Sequence, residues 1–257
     1  MNEDPRPISI RQAVDAVTVG EYECFAGGLA APDDPRPSVT SDALLDDGMR
    51  AAIEGRFARR FGTFDARAVH SIWMKWYLNV FLPPVLLADI LLARKVPVML
   101  EQTRFIIADD GRISAAMVSG ECQDTTDVDP FVRFESLIFG HFKPLIDIWS
   151  ARTEVTSRVY WSNVGNTFEA MLRRIELVSG TSPRLQQAQR LLGEANWPDG
   201  RPNPLFDAVH YVTAGDEQPE RRRRVCCLQY LLPDRRFCKA CPIEEARHNP
   251  VVTAASV

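Results

Sequence analysis

The sequence predicts a predominantly helical α+β protein with a small β-hairpin or sheet and a C-terminal four-cysteine module that binds a metal cluster. Three observations predict this class. Apolar residues recur at three- and four-residue spacing through most of the chain, one stretch switches to branched residues around a turn, and four cysteines gather near the end. At 257 residues, with 46% hydrophobic and 25% charged residues, the composition is that of a globular protein, not of a disordered or fibrous one.

Helical periodicity predicts most of the body. Ser41 can cap a helix, and Pro183 sits at the favoured first position after a capping Ser182. The adjacent prolines Pro83 and Pro84 lack backbone donors and are expected to interrupt the second helix. We therefore predict helices over residues 41–62, 65–82, 131–149 with a break near Gly140 and Pro144, 157–177 and 183–194.

A change of period predicts the small sheet. Residues 103–108 and 113–118 are rich in branched side chains, and the turn signal Asp109-Asp110-Gly111-Arg112 between them predicts a hairpin. Residues 96–100 look similar, but Pro97 cannot donate to a ladder and limits them to an edge strand. A proline-rich linker over 196–204 and a candidate strand over 206–212 divide the chain into a body, residues 1–200, and a C-terminal module, residues 201–257.

Charge and hydropathy exclude several classes of function. The net charge of −4 shows that the whole molecule is not built to bind a polyanion, so we predict no nucleic-acid partner. The N-terminus lacks the pattern of a secretory signal. The longest apolar run, residues 80–93, contains two prolines and Asp89 and is shorter than the ~18–20 residues that span a membrane. We expect a cytoplasmic protein without a transmembrane segment, and peripheral association with the inner face of the membrane stays open.

Four of the six cysteines form the motif C-C-x10-C-x2-C, namely Cys226, Cys227, Cys238 and Cys241. Four thiolates in one short segment can enclose zinc or an iron-sulfur cluster. Pro233-Asp234 allows the intervening residues to fold back, and adjacent cysteine ligands require a kinked backbone. The residues alone leave two alternatives open: a redox-active iron-sulfur site, and a zinc module that folds the C-terminus or binds a partner protein without redox activity.

The cysteine segment carries a family resemblance. The stretch from Arg224 to Pro233, followed by Cys238-Lys239-Ala240-Cys241-Pro242, resembles the C-terminal signature of the FhuF-like ferric-siderophore reductases. That signature has an arginine before C-C, a tyrosine soon after it, ten residues between the pairs and a proline after the last cysteine. Each feature is present. The segment from Tyr160 to Asn166 is similar to a Trp-Asn segment of the same family.

The resemblance implies a [2Fe-2S] cluster held by Cys226, Cys227, Cys238 and Cys241 that passes single electrons to the Fe(III) of a siderophore, which then releases Fe(II). It implies no catalytic residue beyond the cluster. No G-x-G-x-x-G nucleotide fingerprint appears, so we expect the reductant to be an electron-donor protein such as a ferredoxin or a flavoprotein.

Basic residues concentrate around the cysteine motif. Their charge would favour the reduced form of an anionic cluster, and it would attract an anionic siderophore or an acidic donor protein. The alternative is a solvated loop. Trp161, beside two asparagine amides, is either part of a ligand platform or a packing residue. The candidate substrate-binding residues are Arg221, Arg222, Arg223, Arg224, Arg235, Arg236, Lys239, Trp161, Asn163 and Asn166.

The remaining cysteines and the histidines show no metal-binding spacing. Cys24 and Cys122 stand alone and are expected to be small buried hydrophobes. Core or surface roles are expected for His70, His141, His210 and His248.

Overall fold

The computed structural model describes residues 8–62, 65–213, 219–233 and 235–243. Its helices are α1 (Ile10–Val17), α2 (Ser41–Leu45), α3 (Asp47–Ala58), α4 (Ala66–Leu92), α5 (Pro130–Glu135), α6 (Lys143–Arg152), α7 (Ser157–Ser179) and α8 (Pro183–Gly193). Its strands are β1 (Ile8–Ser9), β2 (Leu29–Ala30), β3 (Val39–Thr40), β4 (Arg94–Lys95), β5 (Arg104–Ile107), β6 (Ile113–Met117), β7 (Glu121–Asp124), β8 (Val209–Val212) and β9 (Glu220–Arg223). The predicted mainly helical α+β class is confirmed.

The strands form three small sheets. One has the order β1-β7-β4, a second has the order β2-β6-β5-β3, and β8 pairs with β9 alone. Only β2 and β6 run parallel among the described pairs. The predicted hairpin is confirmed as β5 and β6, with Gly111 in its turn at φ +83°. A side chain at Gly111 would also lie 2.3 Å from the Ile53 carbonyl oxygen, so the turn packs directly on α3.

The core is organised around α4, which packs against α1, α7 and β6. The prediction that Pro83 and Pro84 interrupt this helix is wrong, since α4 continues through both to Leu92. The prolines leave two carbonyls of the preceding turn without helical donors. Every residue from Phe81 to Ile90 is buried, and the packing of this apolar segment offsets that loss.

Helix α4 has the length and apolarity of a membrane-spanning segment, but 67% of its most apolar window is buried inside the protein. A buried core helix meets the same criteria of length and composition. The absence of a transmembrane segment therefore stays a prediction.

Two local predictions differ from the structure. The helix predicted over 41–62 is split, because Asp46 takes an extended conformation and caps α3 through Met49 N, while Thr40 rather than Ser41 caps α2. Residues 96–100 form no strand, and the pairing of this segment with β7 ends at Lys95. The missing donor of Pro97 is consistent with the end of pairing at that point.

The helical stretch over 131–149 does break near Gly140, as predicted, by passing through a π-helical turn, Ser136–Phe142, between α5 and α6. A side chain at Gly140 would lie 2.3 Å from Met99 Sδ. The predicted helices over 157–177 and 183–194 are confirmed as α7 and α8, and Ser182 Oγ accepts a hydrogen bond from Leu185 N as the expected cap.

The segment after α8 packs on the body. Trp197 is buried between Phe131 and Phe139, so the predicted linker is an ordered, packed connection. Leu232, between the two cysteine pairs, belongs to the same hydrophobic core as α4. The predicted boundary at residue 200 stays a prediction.

Candidate metal centre

The four motif cysteines approach one another as two pairs. Cys226 is hydrogen-bonded to Cys241, and Cys227 to Cys238, so each half of the motif contributes one member to each pair. Cys241 N donates to the Cys238 carbonyl at 3.0 Å, which closes the C-x2-C turn. Asp234, in the fold-back predicted between the halves, lies outside the described residues.

No group of three or more His, Cys, Asp or Glu side chains within the described ranges is close enough to hold one metal ion. Within the described residues the cysteines therefore lie as two neighbouring pairs and do not form a ready-made site for one metal ion.

The adjacent cysteines are followed by the predicted kink. Leu228 has φ +61°, a left-handed conformation that a leucine rarely adopts. This bend brings Leu228 N within 3.3 Å of Cys226 Sγ, where it can donate to the sulfur. Strain at Leu228 is thus coupled to the placement of the C-C pair.

Positive charge surrounds the more deeply buried cysteine pair. The hydrogen bond with Cys238 holds the pKa of the Cys227 thiol well below its ordinary value, against burial, and Lys75 and Arg223 act in the same direction. The same hydrogen bond, together with burial, raises the pKa of Cys238. Burial raises the pKa of Cys226 to about 11. Lys75, whose ammonium lies 3.8 Å from Cys227 Sγ, therefore favours the ionised form of that thiol.

A buried chain of hydrogen bonds fixes the C-C segment to the body. Arg223 donates to Asn163 Oδ1 at 2.5 Å, Asn163 Nδ2 donates to Ser71 Oγ at 3.0 Å, and Ser71 Oγ donates to the Cys227 carbonyl at 2.9 Å. Ser162 on α7 adds a hydrogen bond of 3.1 Å to the Val225 carbonyl. Helices α4 and α7 thereby position the backbone of the adjacent cysteines Cys226 and Cys227.

The four consecutive arginines do not form one surface. Arg222 and Arg223 are buried, with Arg223 only 1% exposed. Arg222 donates to the Cys241 carbonyl at 2.8 Å, and Arg221 is held by Glu169 and Asn166. Arg224 is exposed and pairs with Asp207 at 2.8 Å. Substrate binding by this run of arginines stays a prediction. Because Arg222 and Arg223 are buried, the members that can contact a substrate are Arg221 and Arg224.

The other candidate substrate-binding residues also divide into exposed and buried ones. Three of them are exposed and lie close in sequence to Cys238 and Cys241, namely Arg235, Arg236 and Lys239. Asn163 is fully buried in the hydrogen-bond chain, and Asn166 binds Arg221 through its side chain and its carbonyl. Trp161 is half-buried and lines a surface cleft beside Arg224 and Val225.

Lys75 and Ser71 were missed by sequence reasoning. Lys75 Nζ lies 3.8 Å from Cys227 Sγ, and Ser71 is one helical turn earlier on the same face of α4. The available signal was a serine and a lysine four residues apart within a mostly apolar helix. The contact of this face of α4 with the cysteine segment joins residues far apart in the chain, so the sequence pattern alone could not predict it.

Among the described residues, Cys24, Cys122, His70, His141 and His210 join no metal-binding group with the motif cysteines. Cys122 is buried, as predicted, and burial raises its pKa to about 11. The prediction that Cys24 is buried is wrong, since it is exposed at the end of the turn from Gly20 to Phe25. His141 is fully buried in the core and is stacked on Phe81. His248 lies outside the described residues.

Comparison with known sequences defines the class. Residues 71–218 match the protein family described as "Ferric iron reductase FhuF-like transporter". The matched region is more than half of the chain, and the chain belongs to this family. The match ends before Cys226, so it is independent of the four cysteines.

The chain is similar to known proteins in sequence and in fold. A ferric siderophore reductase of Escherichia coli strain K12 is 27% identical over 176 residues, which cover 68% of this chain and 65% of that protein. The chain thus spans slightly less than two thirds of that relative. The ATP-bound aerobactin synthetase IucA of Klebsiella pneumoniae superposes with a TM-score of 0.53 at 9% identity, over 79% of this chain and 50% of that one. That likeness is one of fold alone.

Proposed function

We propose that the protein is a cytoplasmic ferric-siderophore reductase whose C-terminal module holds a [2Fe-2S] cluster through Cys226, Cys227, Cys238 and Cys241. The observation that carries the proposal is the meeting of the four cysteines as two pairs beside Lys75 and Arg223. Membership of the FhuF-like family and the similarity to a reductase of that name support the substrate class.

The charge around the cysteines supports an anionic resident group. Arg223 is buried, and its Nε has no hydrogen-bond partner within the described residues. A buried guanidinium with an unused donor is costly unless a negative group lies near it. Lys75 supplies a second cation at the Cys227 sulfur. These cations fit a thiolate-ligated cluster, whose net charge is negative.

When bound, the [2Fe-2S] group supplies one electron at a time, taken from a reduced electron-donor protein such as a ferredoxin or a flavoprotein. The siderophore-bound Fe(III) accepts that electron and becomes Fe(II), which hard oxygen ligands hold far less tightly. The protein's own residues perform three tasks in this proposal. Cysteine thiolates bind the group, Lys75 and Arg223 stabilise added negative charge, and the core around Cys227 excludes water from it.

The competing function is a zinc module that folds the C-terminus or binds a partner protein. Anaerobic purification followed by metal, acid-labile sulfide and visible-absorption analysis separates the two. We expect two irons and two sulfides per chain, and oxidation of the dithionite-reduced protein by a ferric siderophore. One equivalent of zinc without labile sulfide, retained after anaerobic reconstitution, would contradict the reductase function and support the zinc module.

A further inference from the structure

Gln229 uses both ends of its side-chain amide between the two halves of the cysteine motif. It directly follows Leu228, the residue that makes the bend after the adjacent cysteines. Its Oε1 accepts a hydrogen bond from Lys75 Nζ on α4 at 3.1 Å, and its Nε2 donates to the Arg236 carbonyl at 3.2 Å. Arg236 is two residues before Cys238. A single side chain therefore joins the core helix to both halves of the motif.

The two partners of Gln229 fix the orientation of its amide. A lysine ammonium can only donate a hydrogen bond, and a backbone carbonyl can only accept one, so the amide oxygen must face Lys75 and the amide nitrogen must face Arg236. Turning the amide over would bring two donors together at Lys75 and two acceptors together at Arg236. The side chain is therefore held in one orientation, with a charge-assisted hydrogen bond at the Lys75 end.

The hydrogen bond to Gln229 is the stronger of two contacts that keep the Lys75 ammonium in place. Ordering a long lysine side chain costs conformational entropy, so the ammonium needs good acceptors to stay in one position. A thiol sulfur is a weak acceptor, and Lys75 Nζ lies 3.8 Å from Cys227 Sγ. The amide oxygen of Gln229 is a better acceptor at a shorter distance. Loss of this oxygen should therefore release the ammonium from the sulfur.

The second half of the motif is held at two separate places. Its end is fixed to β9, because Arg222 Nη1 donates to the Cys241 carbonyl at 2.8 Å. Its beginning is held by Gln229 and by the contact between the rings of Tyr230 and Phe237, whose centroids are 5.0 Å apart. Removing the Gln229 hydrogen bond should therefore loosen the beginning of this half while its end stays attached to β9.

We propose that Gln229 is a positioning residue that holds the Lys75 ammonium at the Cys227 sulfur and ties the segment around Arg236 to the turn after the adjacent cysteines. It acts through these neighbours and requires no contact of its own with a bound group. The consequence for the reduction potential rests on the proposed function. The link between the two halves of the motif does not.

The link is tested in the full-length protein without bound metal by limited trypsin digestion, in which mass spectrometry follows cleavage after Arg235 and Arg236. We expect Gln229→Leu to speed this cleavage roughly fivefold, because the lost hydrogen bond no longer opposes local opening. Gln123→Leu is the matched control, since Gln123 is exposed on β7, and it should leave the rate unchanged. Cleavage of Gln229→Leu at the wild-type rate, with native circular dichroism, would overturn the link.

The effect on Lys75 is tested by a cycle of reduction potentials in the cluster-loaded protein. We expect Gln229→Leu to lower the potential, as Lys75→Gln does, because the released ammonium moves away from the sulfur into solvent. In the Lys75→Gln background the change at Gln229 should lower the potential no further. An unchanged potential in Gln229→Leu, or an equal fall in both backgrounds, would overturn the role of Gln229 in holding Lys75.

The two measurements separate this inference from the proposed function. If anaerobic reconstitution yields no cluster, the proposed function fails, and with it the effect of Gln229 on a reduction potential. The trypsin digestion then decides by itself whether Gln229 links the two halves of the motif. If the cluster is present and only the potential cycle fails, the proposed function stands and the positioning of Lys75 by Gln229 is wrong.

Discussion

The ammonium group of Lys75 lies 3.8 Å from the sulfur of Cys227, and Gln229 Oε1 accepts a second hydrogen bond from it at 3.1 Å. Lys75 is thus held at the sulfur rather than free to reorient in solvent. A fixed positive charge at this distance favours the more negative state of a bound group, which for the proposed cluster is the reduced state.

Replacement of Lys75 by Gln should lower the reduction potential of the proposed cluster by roughly 50–100 mV, since one partly screened charge near 4 Å is removed. The measurement is a dithionite titration followed by visible and electron paramagnetic resonance spectra. Lys143→Gln is the matched control, because Lys143 is exposed and pairs with Asp147 on α6. An equal potential in Lys75→Gln and wild type would show that this lysine does not act on the centre.

Replacement of Cys227 by Ser should abolish the visible spectrum of the proposed cluster after anaerobic reconstitution, because one of four ligands is lost. The far-ultraviolet circular dichroism should stay native, since the helical body does not depend on that thiol. Cys24→Ser serves as the control, because Cys24 is exposed and outside the motif. An unaltered cluster spectrum in Cys227→Ser would mean that another residue provides the fourth ligand.

Replacement of Asn163 by Ala should lower the free energy of unfolding by about 3 kcal/mol, because it leaves the buried Arg223 guanidinium short of an acceptor. Urea unfolding gives the value. The double variant Asn163→Ala with Arg223→Met should be less destabilised than the sum of the two single variants, since the stranded charge is gone. Additive losses would show that the two side chains are not coupled.

His141 predicts a pH dependence of stability. Its Nδ1 donates to the Val98 carbonyl at 2.7 Å and its Nε2 accepts from the Tyr77 hydroxyl, so the folded state holds one neutral tautomer. Burial lowers the pKa of His141 from 6.5 to about 3. Between these two values the unfolded chain binds a proton that the folded chain does not, so stability falls as the pH falls.

From pH 7 to pH 5 the loss from this histidine should be about 2 kcal/mol. Urea unfolding at several pH values measures it, and His141→Gln, which cannot titrate, should flatten the slope in this range. A slope that is the same in His141→Gln and wild type would assign the pH dependence to other groups.

Local signals predicted what depends on a few neighbouring residues. The Ser182-Pro183 start of α8 and the Asp-Asp-Gly turn between β5 and β6 are confirmed, because capping and turn formation are decided within a few residues. The kink after the C-C pair also followed from the alternation of side chains along an extended chain, and Leu228 supplies it.

Features that depend on tertiary packing were not accessible to the same reasoning. The course of α4 through Pro83 and Pro84 depends on burial from every side, which outweighs two lost hydrogen bonds. The four arginines look alike in sequence, yet Arg223 is buried against Asn163 while Arg224 faces solvent. Only the position of α7 beside β9 separates their roles.

The hydrogen bond from Ser71 to the Cys227 carbonyl also affects the free energy of binding the proposed cluster. In small metal-dependent modules the chain is unfolded without the ion, so metal binding must also supply the free energy of ordering the ligands. Here α4, a core helix, already anchors the cysteine segment through Ser71. The cysteine segment therefore loses its conformational entropy when the body folds, before any metal binds. For the proposed cluster, the ligand segment is thus placed before the metal binds, and we expect the protein to stay folded when the cluster is lost.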